Sequence, residues 1–395
     1  MSFQEIKDRE ATYVMQTYGR FPVCFDHGDG AVLVDVDGKE YVDLTSGIGV
    51  NCLGYHNPKV TAAVTEQANK LMHVSNLYYT EPMINAAEKL VKATGMSRVF
   101  FGNSGAEANE GMIKIARKYS HDKYGDGRSK IVTLVNSFHG RTITTLKATG
   151  QDHFHQNFFP FTEGFDYAEA NDLEDLKKKA GKDTCGVMME LIQGESGVRP
   201  LNADYVKAAC EFCRENDILF MVDEVQTGIG RSGALFSFQK FGVTPDVVSM
   251  AKGLGGGLPI GAVMVGEKCA DVLGKGDHGS TFGGSPMSCA AASAVLDVVT
   301  QPEFLAEVEK KGEYLKDSIL SIGSPEITDV RGMGLMLGIV LKNPENRLKI
   351  VEELLNQGVM VLTAGTDVIR LLPPLVITRE EIDRAVAVMK KVFGS

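Results

Sequence analysis

The stretch Asp246-Val247-Val248-Ser249-Met250-Ala251-Lys252 runs directly into Gly253-Leu254-Gly255-Gly256-Gly257-Leu258-Pro259. The first seven residues have the composition of a buried strand, and the glycines after them predict a turn. A lysine that an apolar strand brings to such a turn is poorly hydrated. Because desolvation disfavours the ammonium ion, we expect a lowered pKa and a nucleophilic amine at Lys252. The alternative is the commoner solvated lysine at a strand end, so this interpretation needs support from other segments.

Several other apolar runs share the composition of residues 246–250. They are rich in Val, Ile, Phe and Met, and they do not alternate apolar with polar residues. Such runs predict strands buried on both faces, in a mostly parallel sheet covered by helices, and therefore an α/β fold. The predicted strands are 98–102, 131–135, 186–191, 218–223, 246–250 and 261–266.

The two ends of the chain have a different pattern. A long helical stretch after residue 290 is followed by short predicted strands near 335–341, 359–362 and 368–372, and by a closing helix over 380–393. Residues 32–42 predict a hairpin with a two-residue turn at Asp37-Gly38. We therefore predict three parts. They are an N-terminal segment, 1–50, that packs with the small domain; a large domain, 51–290; and a small α+β domain, 291–395.

Composition limits the partners and the compartment. A net charge of -10 argues against nucleic acid or an anionic membrane as the main partner. No apolar run is long enough to span a bilayer, and the polar start is unlike a signal peptide. Seven scattered cysteines suit a reducing cytosol. Cys210 and Cys213 have no second pair to complete a zinc site, so we expect helix residues and no metal.

Three segments beyond predicted strands carry polar or aromatic side chains. In Asn103-Ser104-Gly105-Ala106-Glu107, a helix start offers free amides for a phosphate, although Ser104 can equally be a plain N-cap. In Asp223-Glu224-Val225-Gln226, Asp223 can pair with a protonated ring nitrogen and Gln226 can donate to a phenolic oxygen. A P-loop metal acid is the alternative there, but no GxxxxGK[ST] motif accompanies it.

The third segment is Phe138-His139-Gly140-Arg141, in which Phe138 can stack on a flat ring and Arg141 can bind a carboxylate with two N–H groups. Each residue alone is more often a packing aromatic or a surface cation. Together with Lys252, the three segments supply a phosphate cradle, a stacking ring, an acid for a ring nitrogen and a lysine for an aldehyde. Pyridoxal 5′-phosphate needs this combination.

With these segments, the chain resembles a known family, the class III pyridoxal-phosphate aminotransferases of fold type I. Within that family it is most similar to the acetylornithine aminotransferases, and the resemblance covers essentially the whole length. The resemblance implies a large domain with a mostly parallel sheet and a small α+β domain built from both termini. The matching stretches are 17–22, 44–51, 103–109, 138–142, 192–195, 223–228, the turn after Lys252, and 370–375.

The resemblance also implies roles at the cofactor. Lys252 would hold pyridoxal phosphate as a Schiff base and then carry a proton, and Asp223 would keep the ring nitrogen protonated. Ser280 and Thr281 would reach the phosphate of the neighbouring subunit, which implies a homodimer with shared active sites; an ordinary Ser-Thr turn is the alternative. The other implied cofactor contacts are Gly105 and Ala106 at the phosphate, Phe138 and Val225 on the ring faces, and Gln226 at the phenolic oxygen.

Substrate binding would depend on fewer residues. The resemblance implies that Arg141 holds the α-carboxylate of the amino donor and that Arg370 takes the α-carboxylate of 2-oxoglutarate or glutamate. Glu195 would be a switch acid that pairs with Arg370 while the donor is bound. Tyr18 would also contact substrate, and Ser280 belongs to the same set. Ile48 stands where ornithine aminotransferases have a tyrosine, which favours an acylated donor or 4-aminobutyrate.

The sequence therefore predicts a cytoplasmic homodimer that transfers an amine by a ping-pong cycle. N-acetylornithine would become N-acetylglutamate 5-semialdehyde and 2-oxoglutarate would become glutamate, a step of arginine biosynthesis. The alternatives within the family are ornithine, 4-aminobutyrate and N-succinyl-diaminopimelate as donors. A cofactor-binding regulator without activity would need a missing catalytic residue or an added DNA-binding domain, and neither is present.

Overall fold

The computed structural model describes residues 1–394, and a seven-stranded sheet lies at its centre. The strand order is β4-β12-β11-β10-β7-β5-β6, and all strands are parallel except β12, which runs antiparallel to β4 and β11. The strands of this sheet are β4 (Arg98–Gly102), β5 (Lys130–Leu134), β6 (Phe165–Ala168), β7 (Thr184–Met189), β10 (Leu219–Asp223), β11 (Val247–Met250) and β12 (Gly261–Val265).

Helices cover both faces of this sheet. In β10, Met221 packs in one buried cluster with Met112 of helix α5, while Val222 packs in the other with Val206 of helix α8. Neighbouring residues thus face opposite apolar layers, which is why these strands lack polar alternation. The prediction of an α/β fold with a mostly parallel, doubly covered sheet is confirmed. The helices of this part are α5 (Gly105–Tyr124), α6 (Ile143–Ala148), α7 (Leu173–Lys179), α8 (Ala203–Glu215), α9 (Ser237–Phe241) and α10 (Pro286–Val299).

The N-terminal part contributes a second sheet and four helices, which precede the strands of the central sheet in the chain. In this four-stranded sheet, of order β1-β2-β3-β15, Val42 of β3 lies opposite Val359 of β15. The N-terminal hairpin therefore lies against a strand from the C-terminal part. The elements are α1 (Phe3–Tyr13), β1 (Phe25–Asp29), β2 (Val32–Asp35), β3 (Glu40–Asp43), α2 (Ser46–Gly49), α3 (Pro58–Lys70) and α4 (Glu81–Thr94).

The C-terminal part adds an antiparallel sheet of order β13-β14-β17-β16 and three helices. The elements are α11 (Pro302–Leu320), β13 (Ile327–Met333), β14 (Met336–Leu341), α12 (Arg347–Asn356), β15 (Val359–Met360), β16 (Leu362–Ala364), β17 (Val368–Leu371) and α13 (Arg379–Phe393). A short antiparallel pair of strands, β8 (Ile192–Gln193) and β9 (Arg199–Pro200), follows β7 and precedes β10 in the chain.

The structure differs from several local expectations. The single long helix after residue 290 is two helices, because Pro302 cannot continue a helix and begins a new one. The hairpin turn at Asp37-Gly38 is longer than two residues: strand β2 ends at Asp35 and β3 begins at Glu40. Strands β1, β6, β8, β9 and β13 are additional to the predicted ones. The boundaries at residues 50 and 290 stay predictions, and α10 runs through residue 290.

No helix within residues 1–394 has the length and apolar composition needed to cross a membrane. Cys210 and Cys213 lie in α8, as predicted, and all seven cysteines are free thiols.

Candidate active site

Parallel strands bring the predicted segments to one edge of the central sheet. The residues that follow the carboxyl ends of β4, β5, β7, β10 and β11 line a cavity of about 620 Å³. Open α/β sheets place their ligands at this edge. The cavity brings together the predicted residues Tyr18, Gly105, Ala106, Phe138, Arg141, Asp223, Val225, Gln226 and Lys252.

Lys252 follows β11 by two residues and opens a short 3₁₀ turn, Lys252–Gly255. Its φ of 44° is in the left-handed region, which is costly for a residue with a side chain and is a frequent feature of functional sites. Burial lowers the pKa of Lys252, although the Glu195 carboxylate works in the opposite direction. The predicted low-pKa amine is therefore present, and it faces the cavity.

Asp223 ends β10 and is almost completely buried. Its Oδ2 accepts hydrogen bonds from Asn109 Nδ2 at 2.7 Å and from His139 Nδ1 at 2.8 Å, and its Oδ1 accepts from the Val225 amide at 3.0 Å. Three donors stabilise a carboxylate and fix its orientation. Sequence reasoning missed Asn109 and His139, although both belong to segments that it had selected.

The start of helix α5 reaches the cavity as an N-terminus with free amides. Ser104 Oγ accepts from the Glu107 amide at 3.2 Å, so the N-cap interpretation is correct. Capping by Ser104 leaves the amides of Gly105 and Ala106 without intrahelical partners, as at any helix start. A Cβ at Gly105 would lie 2.7 Å from Val225 Cγ1, which explains why this position has no side chain.

Arg370, on β17, forms an ion pair with Glu195 in the loop after β8. The Arg370 Nη1 to Glu195 Oε1 distance is 2.6 Å, and Arg370 is buried. Gln226 joins this pair, since its Oε1 accepts from Arg370 Nη1 at 3.1 Å and its Nε2 donates to Glu195 at 3.3 Å. Burial alone would raise the pKa of Glu195. The charge of Arg370 and its hydrogen bond to Glu195 act in the opposite direction, and the pKa of Glu195 is lowered overall. The predicted acid and arginine therefore meet.

Five residues of the predicted set do not line this cavity: Arg370 and Glu195 are joined to it through Gln226, whereas Ser280, Thr281 and Ile48 lie elsewhere. Ser280 and Thr281 do not line the cavity of their own chain. Ser280 Oγ accepts from Asn103 Nδ2 at 3.0 Å, and Thr281 is exposed. Ile48 has a φ of 66° in the turn before Val50, and it is Val50 that lines the cavity. Their substrate and cofactor roles stay predictions.

Glu190 is a buried acid of the cavity that sequence reasoning missed. It directly follows β7, as Asp223 ends β10, so the same search for acids at apolar strand ends finds it. Its Oε2 accepts from the Phe138 amide at 2.8 Å and its Oε1 from the Gly194 amide at 3.3 Å. Burial raises the pKa of Glu190 to about 7.

Comparisons with known proteins place the chain in a family. The family model "Aminotransferase class-III" matches residues 13–393. The chain belongs to the class III aminotransferases. It is 52% identical over 395 residues to the acetylornithine aminotransferase of Haemophilus ducreyi, with all of both chains covered. The predictions of an aminotransferase and of pyridoxal phosphate as its cofactor are confirmed.

Two solved structures are similar along their whole length. The acetylornithine aminotransferase of Elizabethkingia anophelis has a TM-score of 0.89 and 33% identity, covering 100% of this chain and 99% of that one. An ornithine aminotransferase of Toxoplasma gondii has a TM-score of 0.95 and 32% identity, covering 99% and 94%. The second was solved with partial occupancy of pyridoxal phosphate at its active site.

The residues of this class III aminotransferase fit the cofactor. A buried Asp223 carboxylate suits a protonated ring nitrogen, and the free amides of α5 suit a phosphate. The Lys252 amine, with its lowered pKa, suits an aldehyde. Phe138 and Val225 supply the apolar contacts that a flat ring needs, since both line the same cavity.

Proposed function

We propose that this aminotransferase moves the δ-amino group of N-acetylornithine to 2-oxoglutarate, giving N-acetylglutamate 5-semialdehyde and glutamate. The observation that carries the proposal is the pair of arginines at the site: Arg141 faces the cavity without an ionic partner among residues 1–394, whereas Arg370 is held by Glu195. The acetylornithine aminotransferase of Haemophilus ducreyi, 52% identical over 395 residues, supports the choice of donor.

The cofactor residues hold and orient the group before any substrate arrives. Asp223 would keep a proton on the ring nitrogen, the amides of Gly105 and Ala106 would bind the phosphate, and the Lys252 amine would hold the aldehyde carbon as an imine, with loss of water. Bound pyridoxal phosphate supplies an electron sink for the electrons left when a proton leaves the donor carbon. The Lys252 amine, released when the donor amine takes its place, would accept that proton and return it, because burial lowers its pKa and so favours the neutral amine.

The substrate residues serve two partners with different carboxylate spacing. Arg141 binds the α-carboxylate of the donor and directs the distal amine toward Lys252. Glu195 neutralises Arg370 during this half-reaction and releases it for the α-carboxylate of 2-oxoglutarate in the next. Gln226 keeps one hydrogen bond to Arg370 when Glu195 moves, so the guanidinium stays oriented.

We also propose that the enzyme is a homodimer in which Ser280 and Thr281 complete the phosphate site of the other subunit. Thr281 is exposed in its own chain, and Ser280 is fastened beside Asn103 at the start of α5. The free cysteines support the proposed cytoplasmic location.

Replacing Lys252 tests the mechanism. The purified holoenzyme is expected to absorb near the visible range because of its lysine-bound cofactor, and Lys252→Ala is expected to lose both this band and turnover. Lys311→Ala is a matched control, because burial also lowers the pKa of Lys311, which lies outside the cavity. Normal turnover in Lys252→Ala would overturn the mechanism.

Half-reactions with single donors test the substrate. We expect N-acetylornithine to change the cofactor spectrum at lower concentration than ornithine, 4-aminobutyrate or N-succinyl-diaminopimelate. A clear preference for free ornithine would reject the acylated donor while leaving the aminotransferase intact.

A further inference from the structure

We propose that Phe154 is a positioning residue that holds the Arg141 guanidinium ready for the donor carboxylate without occupying its N–H groups. This inference rests on the proposed function, since it concerns how Arg141 recognises the donor. Phe154 was not among the residues predicted from the sequence, because it lies in a 3₁₀ turn, Asp152–Phe154, outside the motifs that follow the strands in the chain.

The contacts of Arg141 are aromatic. Its Cζ lies 4.1 Å from the centroid of the Phe154 ring and 5.5 Å from that of Phe138. The two rings meet edge to face, with centroids 5.8 Å apart and an interplanar angle of 69°. The guanidinium of Arg141 makes no hydrogen bond or ion pair with the part of the chain that the structure describes, residues 1–394.

An aromatic contact of this kind orients an arginine differently from an ion pair. A ring attracts the face of the guanidinium through its quadrupole, while the five N–H donors point outward in the guanidinium plane. A carboxylate partner, such as Glu195 for Arg370, would instead use those donors. Because Arg141 lies over the Phe154 ring and its N–H groups bond no residue within 1–394, those donors stay free for a two-point contact with the substrate carboxylate.

The turn that carries Phe154 is fastened to the segment that leads to Arg141. Gln151 Nε2 donates to the Ser137 carbonyl at 2.9 Å, and the Gly150 amide donates to Ser137 Oγ at 3.1 Å. The His153 ring lies against Phe154 with a centroid distance of 3.9 Å. These contacts fix the ring position, so Phe154 acts as a support for Arg141.

Phe154 also borders a cavity other than the one that Arg141 lines. It lines a second cavity, of about 890 Å³, whose wall includes Glu195 and Ser196. Arg141 lines the first cavity, together with Lys252. Phe154 thus contacts Arg141, which lines the first cavity, and itself lines the cavity that Glu195 also lines.

A pair of amines that differ only in the carboxylate tests the inference. For Phe154→Leu holoenzyme, we expect KM for N-acetylornithine to rise by about three- to tenfold, as for loss of one cation–π contact. KM for N-acetylputrescine, its decarboxylated analogue, should stay within about twofold of wild type, since that amine gives Arg141 nothing to bind. Phe154→Tyr keeps the ring and should retain wild-type values for both amines.

Two further measurements separate positioning from general damage. The Kd of N-acetylnorvaline, which has the carboxylate but no δ-amine and cannot react, should rise by the same factor in calorimetry. In an Arg141→Ala background, Phe154→Leu should have no added effect on KM for N-acetylornithine. An equal rise for both amines, an unchanged Kd, or an additive double variant would each overturn the role of Phe154.

This outcome is distinct from failure of the proposed function. If the wild-type enzyme reacted with free ornithine and not with N-acetylornithine, the donor assignment would fail. The role of Phe154 would then be measured with ornithine and putrescine, which also differ only in the α-carboxylate.

Discussion

Two acids, Asp223 and Glu190, lie at neighbouring strand ends in the cavity, but their surroundings differ. Asp223 accepts hydrogen bonds from two side chains, Asn109 and His139, and from a backbone amide. Glu190 accepts only from the backbone amides of Phe138 and Gly194. The first arrangement fixes the orientation of a buried carboxyl group at the cavity. The second joins the backbone at Phe138, the proposed ring contact, to the backbone just before Glu195.

The buried Glu190 predicts a pH dependence of stability. Burial raises the pKa of this carboxyl from its ordinary 4.5 to about 7, so the folded protein takes up a proton there that the unfolded chain releases. The stability of the wild type relative to Glu190→Gln is therefore expected to fall as pH rises from about 4.5 to about 7, and then to stay constant. The change approaches about 3 kcal/mol.

The difference in Tm between the two apoproteins, measured at several pH values, checks this expectation. Glutamine cannot accept from both amides, which adds a constant offset, so the slope with pH is the informative quantity. Parallel curves for Glu190→Gln and wild type would show that Glu190 titrates normally.

At the residue scale, the sequence identified single residues better than it identified their partners. Lys252, Asp223 and Arg370 were found because each stands in a recognisable stretch. The hydrogen bonds of Gln226 with Arg370 and Glu195 span 144 and 31 positions. Phe154 lies in a turn without a motif. Such contacts depend on the tertiary arrangement, which no local pattern encodes.

At the element scale, the start of α5 depends on a close approach between two segments. Gly105 has no side chain, and a Cβ there would lie 2.7 Å from Val225 Cγ1 and 3.0 Å from Val225 Cγ2. The loop after β10 therefore packs directly on the first turn of the helix. This contact holds together the amides proposed to bind the phosphate and Val225, the residue proposed to contact the ring.

Gly105→Ala is expected to destabilise the apoprotein by about 1–3 kcal/mol, as other overpacked sites do, and to weaken cofactor binding. Adding Val225→Ala should recover most of the stability, because it removes the clashing methyl groups. Gly111→Ala is the matched control in the same helix, since its Cβ would meet Val263 Cγ1 at 3.2 Å and alanine favours the helix.

The measurements are thermal unfolding of the apoproteins, wild type and the three variants, and equilibrium dialysis of pyridoxal phosphate against each of them. If Val225→Ala failed to relieve Gly105→Ala, the contact between helix and loop would not be the cause.

Element prediction succeeded where burial on two faces made the pattern unambiguous. Strand β4 has the predicted bounds, and the other central strands are shifted by one or two residues. The pattern was weaker for β6, an edge strand of four residues, and for β13, where polar and apolar residues mix. The break between α10 and α11 was signalled by Pro302, but the periodicity on both sides concealed it.

At the scale of the whole molecule, an apolar surface lies beside Ser280 and Thr281. Leu77 is 86% exposed and Tyr79 is 97% exposed in the single chain. Asn76 Nδ2 donates to the carbonyls of Ser280 at 3.0 Å and Gly283 at 2.8 Å, so this segment is continuous with the proposed phosphate contact. Exposed apolar patches of this kind mark interaction sites, and a symmetric dimer would bury the patch of both copies.

Shared sites predict that two inactive variants restore each other. In Lys252→Ala, the site loses its own lysine, and in Thr281→Glu, the added charge repels the phosphate bound by the other subunit. Each homodimer should be inactive. In a mixed dimer, the site with Lys252 from one chain and Thr281 from the other is complete, so activity should return to at most about half that of wild type.

Unfolding and refolding the two variants together, with each variant refolded alone as the control, measures this complementation. Leu77→Glu introduced into both chains should abolish it, because a charge in the apolar patch prevents association. Activity that stays at background in a mixed sample, while sedimentation shows mixed dimers, would place Thr281 outside the active site of the second subunit. Recovered activity would instead require that each cavity be completed by a neighbouring chain.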